Sequence, residues 1–193
     1  MHGLVNRSLQ SFLRDTYGAA LWDQVAEASG APAEGFEAMF SYDDGLTDRL
    51  LDSAVGILAK PRDALLEDLG MFLVSLEPLR RLLRFSGVNY VDFLHSLDEL
   101  PDRARLAVAE IGLPELTLVP REGEGFLVRV GHGHPGFVPV FAGILRAMAD
   151  DYGAFAVVDI ADPRTAPNAI RVDLLEPQFA SGRRFDLGRP EAR

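Results

Sequence analysis

The sequence predicts an α+β fold, in which an N-terminal helical subdomain is followed by a four-stranded antiparallel sheet with one inserted helix. Apolar residues recur at helical spacing through the first two thirds of the chain. The pattern then changes to an alternation of apolar and polar residues around a glycine-rich turn, which is typical of a β-hairpin. Because the helices precede the strands, we expect them to be segregated from the sheet, as in other α+β domains.

The length of the chain suits a single domain. It has 193 residues, of which 48% are hydrophobic, and this is enough to bury a sizeable core. We expect one domain over residues 1–181, with a helical part over about 1–112 and an α/β part over about 113–181. Residues 182–193 are expected to form a polar tail.

Turn-forming residues divide the helical part. The first helix is expected to stop near Gly18 and the second at Gly30. Thr47 is a candidate N-cap for the third helix, and Pro61 suits the first turn of the fourth. Shorter helices follow, and the last of the group is expected to begin at Pro101.

The remaining residues predict the order β-β-α-β-β. The stretch "ELTLVPREGEGFLVRVGH" is expected to form a hairpin, and "GFVPVFAGILRAMADDYG" a helix with Pro139 in or just before its first turn. Two further strands, "FAVVDIAD" and "NAIRVDLLE", are joined by a turn over "PRTAPN".

Composition argues against several classes of function. With 19 Lys and Arg against 29 Asp and Glu, the net charge is −10, which disfavours nucleic acid and anionic membranes as partners. The chain has no cysteine, so disulfides, thiolate nucleophiles and Cys-ligated metals are not expected. Neither a P-loop nor a Gly-x-Ser-x-Gly motif is present, and we predict that the chain is not an enzyme. No signal peptide or ~18-residue apolar run is found, so the expected location is the cytoplasm.

Histidines are the candidate metal ligands in this sequence. His132 and His134 would share one face of a strand, but no nearby residue forms a recognisable third ligand. We therefore favour two polar residues at the end of a hairpin strand, and we predict no metal site. His95 lies at helical spacing from Val91 and Asp98, which favours a partly buried structural histidine.

Several motifs, taken in order along the chain, resemble the haem nitric oxide/oxygen-binding (H-NOX, or HNOB) domain family. They are "MHGLVNRSLQSFLRDTYG", Trp22, Tyr42-Asp43, "LEDLGMFL", "FLHSLDEL", Pro114 and "GFVPVFAGIL". The resemblance covers nearly the whole chain and implies the same helices-then-sheet fold. It also implies haem as the cofactor, and a cytoplasmic sensory module that signals to a separate enzyme, such as a histidine kinase or a cyclic-nucleotide enzyme.

Two features of that family are altered here. The resemblance places the histidine that ligates haem iron at Pro101, and proline has no donor atom for iron. A Tyr-x-Ser-x-Arg motif that holds the haem propionates would fall on Val130, His132 and His134. His95 lies six residues before Pro101, about 120° away around a helix, and does not substitute without a rotation of that helix. We therefore expect no haem ligation through the usual histidine.

The resemblance also implies which apolar residues surround the macrocycle. They are Val5, Leu9, Phe72, Leu97, Leu100, Pro101, Pro114 and Leu145. Ordinary core packing explains these residues equally well. Val5 and Leu9 carry no hydrogen-bond donor, so a bound diatomic would lack polar stabilisation.

Three functions remain open at this point. The first is a sensory or regulatory domain whose pocket holds another apolar ligand, or haem without the usual ligation. The second is a structural or protein-interaction domain with a collapsed pocket. The third is a haem nitric oxide sensor that uses a different iron ligand.

Overall fold

The computed structural model describes residues 1–32, 34–85, 87–108, 110–121, 123 and 125–175. The expected polar tail over 182–193 lies outside these residues. The helices are α1 (Gly3–Tyr17), α2 (Ala19–Ser29), α3 (Asp44–Leu58), α4 (Arg62–Ser75), α5 (Glu77–Arg84), α6 (Tyr90–His95), α7 (Leu100–Ala107) and α8 (Phe137–Tyr152). The strands are β1 (Leu116–Pro120), β2 (Gly125–Val130), β3 (Ala156–Ile160) and β4 (Ala169–Leu174). This order confirms the predicted α+β fold.

The ends of the first two helices follow the local sequence signals. Gly18 ends α1 with a φ of 95°, and Gly30 caps α2 in the left-handed conformation with a φ of 71°. Both values fall where glycine avoids the steric cost of a Cβ. The predicted breaks at these two glycines are confirmed.

The start of α3 differs from the prediction. The helix begins at Asp44, with Asp43 before it, so Thr47 lies within the helix and is not its N-cap. The Thr47 side chain is instead buried, and its hydroxyl donates a hydrogen bond of 2.8 Å to Asn6 Oδ1 on α1. Thr47 therefore joins two helices that are far apart in sequence, which a local capping pattern does not reveal.

The three prolines expected at helix starts lie within two residues of them, with Pro61 immediately before α4. Pro101 is the second residue of α7, where the missing N–H costs no hydrogen bond. Pro139 is the third residue of α8 and is buried. A 3₁₀ turn, Leu97–Glu99, connects α6 to α7, and the Leu100 N–H bonds back to the Leu97 carbonyl.

The four strands form one antiparallel sheet in the order β1-β2-β4-β3. Val128 of β2 pairs with Ile170 of β4, and Val158 of β3 pairs with Val172 of β4. These four valine and isoleucine side chains are buried. Helix α8 packs on the sheet, and the Arg146 guanidinium donates to the Val158 carbonyl at 2.7 Å on the edge strand.

The interior has two apolar clusters, and helix α4 contributes to both. One cluster joins α1, α2, α3 and most of α4, while the other joins the end of α4, helices α5 to α8 and the sheet. Val140 of α8 packs against both clusters. The boundary between them is the region in which the candidate site lies. Among the described helices, none is long and apolar enough to cross a bilayer.

Candidate functional site

An apolar cavity of about 560 Å³ lies where the two clusters meet. Its walls come from α1, α3, α4, α5, α7 and α8, together with the segments on either side of them. Cavities that hold cofactors and other small molecules measure roughly 300–1,000 Å³ and are mostly apolar. The volume and lining therefore suit a small-molecule ligand.

Helix α7 forms one wall of the cavity. Leu100, Ala104 and Ala107 line it, and their spacing of four and three residues places them on one face of the helix. The small side chains of Ala104 and Ala107 leave space that larger residues would fill. Pro101 is buried beside this face but is not part of the lining, since it lies about 100° around the helix from Leu100.

The polar side chains in the lining already have hydrogen-bond partners. Ser8 donates its hydroxyl to the Leu4 carbonyl at 2.9 Å, and Thr47 donates to Asn6. His134 also lines the cavity, and both of its ring nitrogens are engaged. A ligand therefore meets few free donors in the described part of the lining.

His134 is held by a backbone amide on one side and a carboxylate on the other. The Gly136 N–H donates to Nδ1 at 3.1 Å, so Nδ1 carries no proton. Nε2 lies 3.2 Å from Asp48 Oδ1, which fits an Nε2–H that donates to the carboxylate. Both ring nitrogens are therefore engaged in this arrangement, and the side chain is only 11% exposed.

Asp48 connects His134 to solvent and to Arg62. Its side chain is 47% exposed, and the Arg62 guanidinium bonds both to it and to Asp52. Burial alone would raise the pKa of Asp48, but hydrogen bonds from Arg62 and His134 outweigh that effect and hold the pKa below its usual value. Asp48 is therefore a carboxylate at neutral pH, immediately behind the cavity wall.

Four of the residues that the sequence singled out line this cavity. They are Val5, Leu9, Leu100 and His134. The other predicted pocket residues lie nearby but outside the lining. The Phe72 ring packs 5.5 Å from that of Phe12, while Leu97 and Leu145 are buried in the sheet-side cluster. Pro114 is buried next to Gly133.

The two other positions of the altered propionate motif do not reach the cavity. Val130 is buried at the end of β2, opposite Leu116, and His132 is exposed. His95 is exposed rather than partly buried, and its ring packs edge-on against Phe126 at 5.6 Å. His95 differs from the prediction because α6 ends at this residue and turns its side chain outward.

Sequence reasoning missed part of the lining. Leu66, Leu69 and Leu73 of α4 and Val140 and Ile144 of α8 all face the cavity. Their spacings of three and four residues are visible in the sequence, but the same spacing describes ordinary core residues. The sequence did not indicate Asp48 or Arg62 as site residues. Asp48 lies 86 residues before His134, so their hydrogen bond depends on the tertiary structure.

Haem is the group that the fold implies, and the lining offers few groups that could hold it. The one imidazole among the described lining residues, His134, has no nitrogen free for iron. The same residues include no lysine or arginine that would pair with a propionate. Groups of three or more His, Asp or Glu that suit a metal ion are also absent from the described part of the chain. The lining does not fit a histidine-ligated haem with anchored propionates.

Comparison with known proteins gave matches in both sequence and structure. The profile of a family described as Haem-NO-binding, HNOB, matches residues 2–159. Soluble guanylate cyclase gcy-31 from Caenorhabditis elegans is 22% identical over 167 residues, which is 84% of this chain and 24% of that protein. Soluble guanylate cyclase 89Db from Drosophila melanogaster is 20% identical over 155 residues, or 79% and 23%.

Solved structures share the fold at low sequence identity. An H-NOX protein from S. oneidensis in the Fe(II)NO ligation state has a TM-score of 0.76 and 13% identity, covering 91% of this chain and 100% of its own. The Fe(II) unliganded H-NOX protein from K. algicida has a TM-score of 0.75 and 14% identity, covering 91% and 97%. The chain spans about a quarter of the length of the two cyclases.

Proposed function

The chain belongs to the Haem-NO-binding family of H-NOX domains, which are related to haem-based nitric oxide and oxygen sensors, and on this premise we propose that it is a sensory domain controlled by a ligand in its apolar cavity. A gas bound to a histidine-ligated haem iron is not the signal in this proposal. The ligand instead occupies the space between α1, α4, α7 and α8. Its presence or absence changes how the two apolar clusters pack against each other.

One observation carries this proposal: the cavity is large and apolar, yet the described lining offers iron no free imidazole. Pro101 stands where the resemblance places the iron ligand. His134 is satisfied by Gly136 and Asp48, so iron would have to displace one of these partners. A ligand that needs only apolar contacts can bind without displacing either partner of His134.

The alternatives fit less well. A structural domain with a collapsed pocket would fill the cavity with its own side chains, whereas a volume of about 560 Å³ stays open between the helices. A haem sensor with a different iron ligand would need a histidine in the lining that is free to bind. Enzymatic activity is not proposed, since domains of this family are sensors and the sequence carries no catalytic motif that we recognise.

We further propose that the domain acts on a separate signalling enzyme, either a histidine kinase or a cyclic-nucleotide enzyme. Support comes from the two cyclases, in which the matched region is about a quarter of the protein. A ligand that orders the wall formed by α7 would alter the surface that this helix presents to such a partner.

Binding of the neutral fluorophore N-phenyl-1-naphthylamine tests the proposal. We expect saturable binding to the wild-type protein. Ala104→Phe fills the cavity from α7, and it should weaken binding by about tenfold or more. Leu106→Phe is the matched control, because Leu106 is on the same helix and is 90% exposed. Circular dichroism should show that both variants fold. Absence of saturable binding, or equal binding by both variants, would overturn the proposal.

A further inference from the structure

We propose that the cavity selects uncharged apolar molecules and rejects those that carry a carboxylate, and that Asp48 and His134 determine this selectivity. The inference rests on the proposed ligand-binding function and names the class of ligand. It concerns molecules such as long-chain alcohols and hydrocarbons, as opposed to fatty acids and porphyrin carboxylates.

The cavity wall near His134 carries negative charge. Asp48 and Asp52 place two carboxylates around the single guanidinium of Arg62. His134 adds no free donor, because its Nδ1 accepts the Gly136 N–H and its Nε2 lies against Asp48. Asp48, Asp52 and Arg62 together therefore carry an excess of negative charge, and Asp48 lies where the wall passes from the cavity to solvent. A ligand carboxylate placed next to His134 would meet Asp48 at close range, which is repulsive.

The cations near the cavity are already paired. The N-terminal ammonium of Met1, a lining residue, bonds to the Tyr42 carbonyl and to the Asp44 carboxylate. The described lining includes no lysine or arginine side chain. Arg62 is outside the lining, and both of its terminal nitrogens are paired with carboxylates. A carboxylate inside the cavity would thus be desolvated without an unpaired cation to bind it, which is far more costly than burial of a neutral group.

The polar lining groups accept an uncharged ligand without rearrangement. Ser8, Thr47 and His134 all donate their polar hydrogens to protein acceptors. A carboxylate needs donors and would have to break these hydrogen bonds, whereas a hydrocarbon chain does not. A single hydroxyl is also tolerated, since a hydroxyl can itself donate to the Ser8 or Thr47 oxygen.

A matched pair of probes, 1-decanol and decanoate, tests the inference near neutral pH. Each probe displaces N-phenyl-1-naphthylamine from the protein, and calorimetry checks the affinity. We expect wild-type protein to bind decanol on the order of tenfold more tightly than decanoate. His134→Arg places a guanidinium at the wall, and it should bring the two affinities within about twofold. His134→Gln removes the imidazole without adding charge and should keep the preference for decanol.

The outcomes separate this inference from the function on which it rests. Equal binding of the two probes by wild type, or tighter binding of decanoate, overturns the selectivity while leaving the cavity as a binding site. Saturable binding of neither probe, nor of the fluorophore, overturns both. A preference for decanol that persists unchanged in a folded His134→Arg protein removes the role assigned to His134.

Discussion

Gly70 of α4 and Gly143 of α8 lie against each other where the two helices cross, and a methyl group added to Gly70 would be 3.0 Å from the Gly143 Cα. The same methyl group would lie 2.1 Å from the Val140 carbonyl oxygen, and one on Gly143 would lie 2.0 Å from that of Glu67. The crossing is therefore possible only without side chains at these positions. It fixes the distance between two of the cavity walls.

Gly143→Ala should destabilise the protein by about 2–3 kcal/mol, because the backbone of α4 must move away from α8. The matched control is Gly56→Ala in α3, where the added methyl meets nothing within 4 Å. That control should stabilise the protein by about 0.5–1 kcal/mol through helix propensity. Urea denaturation measures both changes. Similar stability of the two variants would show that the helices do not cross this closely.

Tyr90→Phe should cost about 1 kcal/mol near neutral pH. The Tyr90 side chain is fully buried, and its hydroxyl donates to the Leu145 carbonyl at 3.0 Å. Removing it deletes one buried hydrogen bond. The difference in free energy of unfolding between wild type and variant, measured by urea denaturation, checks this value.

The same substitution makes a prediction about alkaline pH. Burial raises the pKa of Tyr90, and the charge of Asp150 raises it further. Because the folded pKa lies above the unfolded value of about 10, this contribution to stability is complete below about pH 10 and is lost as pH rises further. The gap between wild type and Tyr90→Phe should therefore shrink above about pH 10. A gap that stays constant to about pH 11 would contradict the burial of this hydroxyl.

Pro101→His should raise the affinity for haem by about tenfold and give a ferrous spectrum with one histidine ligand. The new imidazole would project from the side of α7 that flanks the lining, beside Leu100 and Ala104. Anchoring of the propionates should remain poor, because the lining described here has no arginine. Leu106→His, on the exposed side of the same helix, is the control and should show no gain. Equal haem affinity of both variants would argue against the ligand position assigned to residue 101.

Much of the fold could be predicted from the sequence, because the signals for helices and strands are local. Helical spacing, the glycines at Gly18 and Gly30, and the prolines at Pro101 and Pro139 each act within one or two turns of the chain. The order of the helices and strands followed from these signals. The strand order β1-β2-β4-β3 did not, since it depends on contacts between distant segments.

The candidate site was harder to predict from the sequence, because it depends on contacts between distant segments. Threonine is a common N-cap residue, yet the Thr47 hydroxyl bonds to Asn6 on another helix. His134 was identified from its place in the altered motif, but its engagement by Asp48 is a tertiary contact. Ala104 and Ala107 define the cavity by being small, and a small residue at an apolar position does not by itself predict a void.

The most direct test of the central claim is a haem titration of the wild-type protein, followed by absorption spectra of the reduced form with and without nitric oxide. We expect weak, non-stoichiometric binding and no five-coordinate histidine spectrum in the ferrous state. One haem per chain, with a histidine-ligated ferrous spectrum that disappears in His134→Ala or His95→Ala, would contradict it.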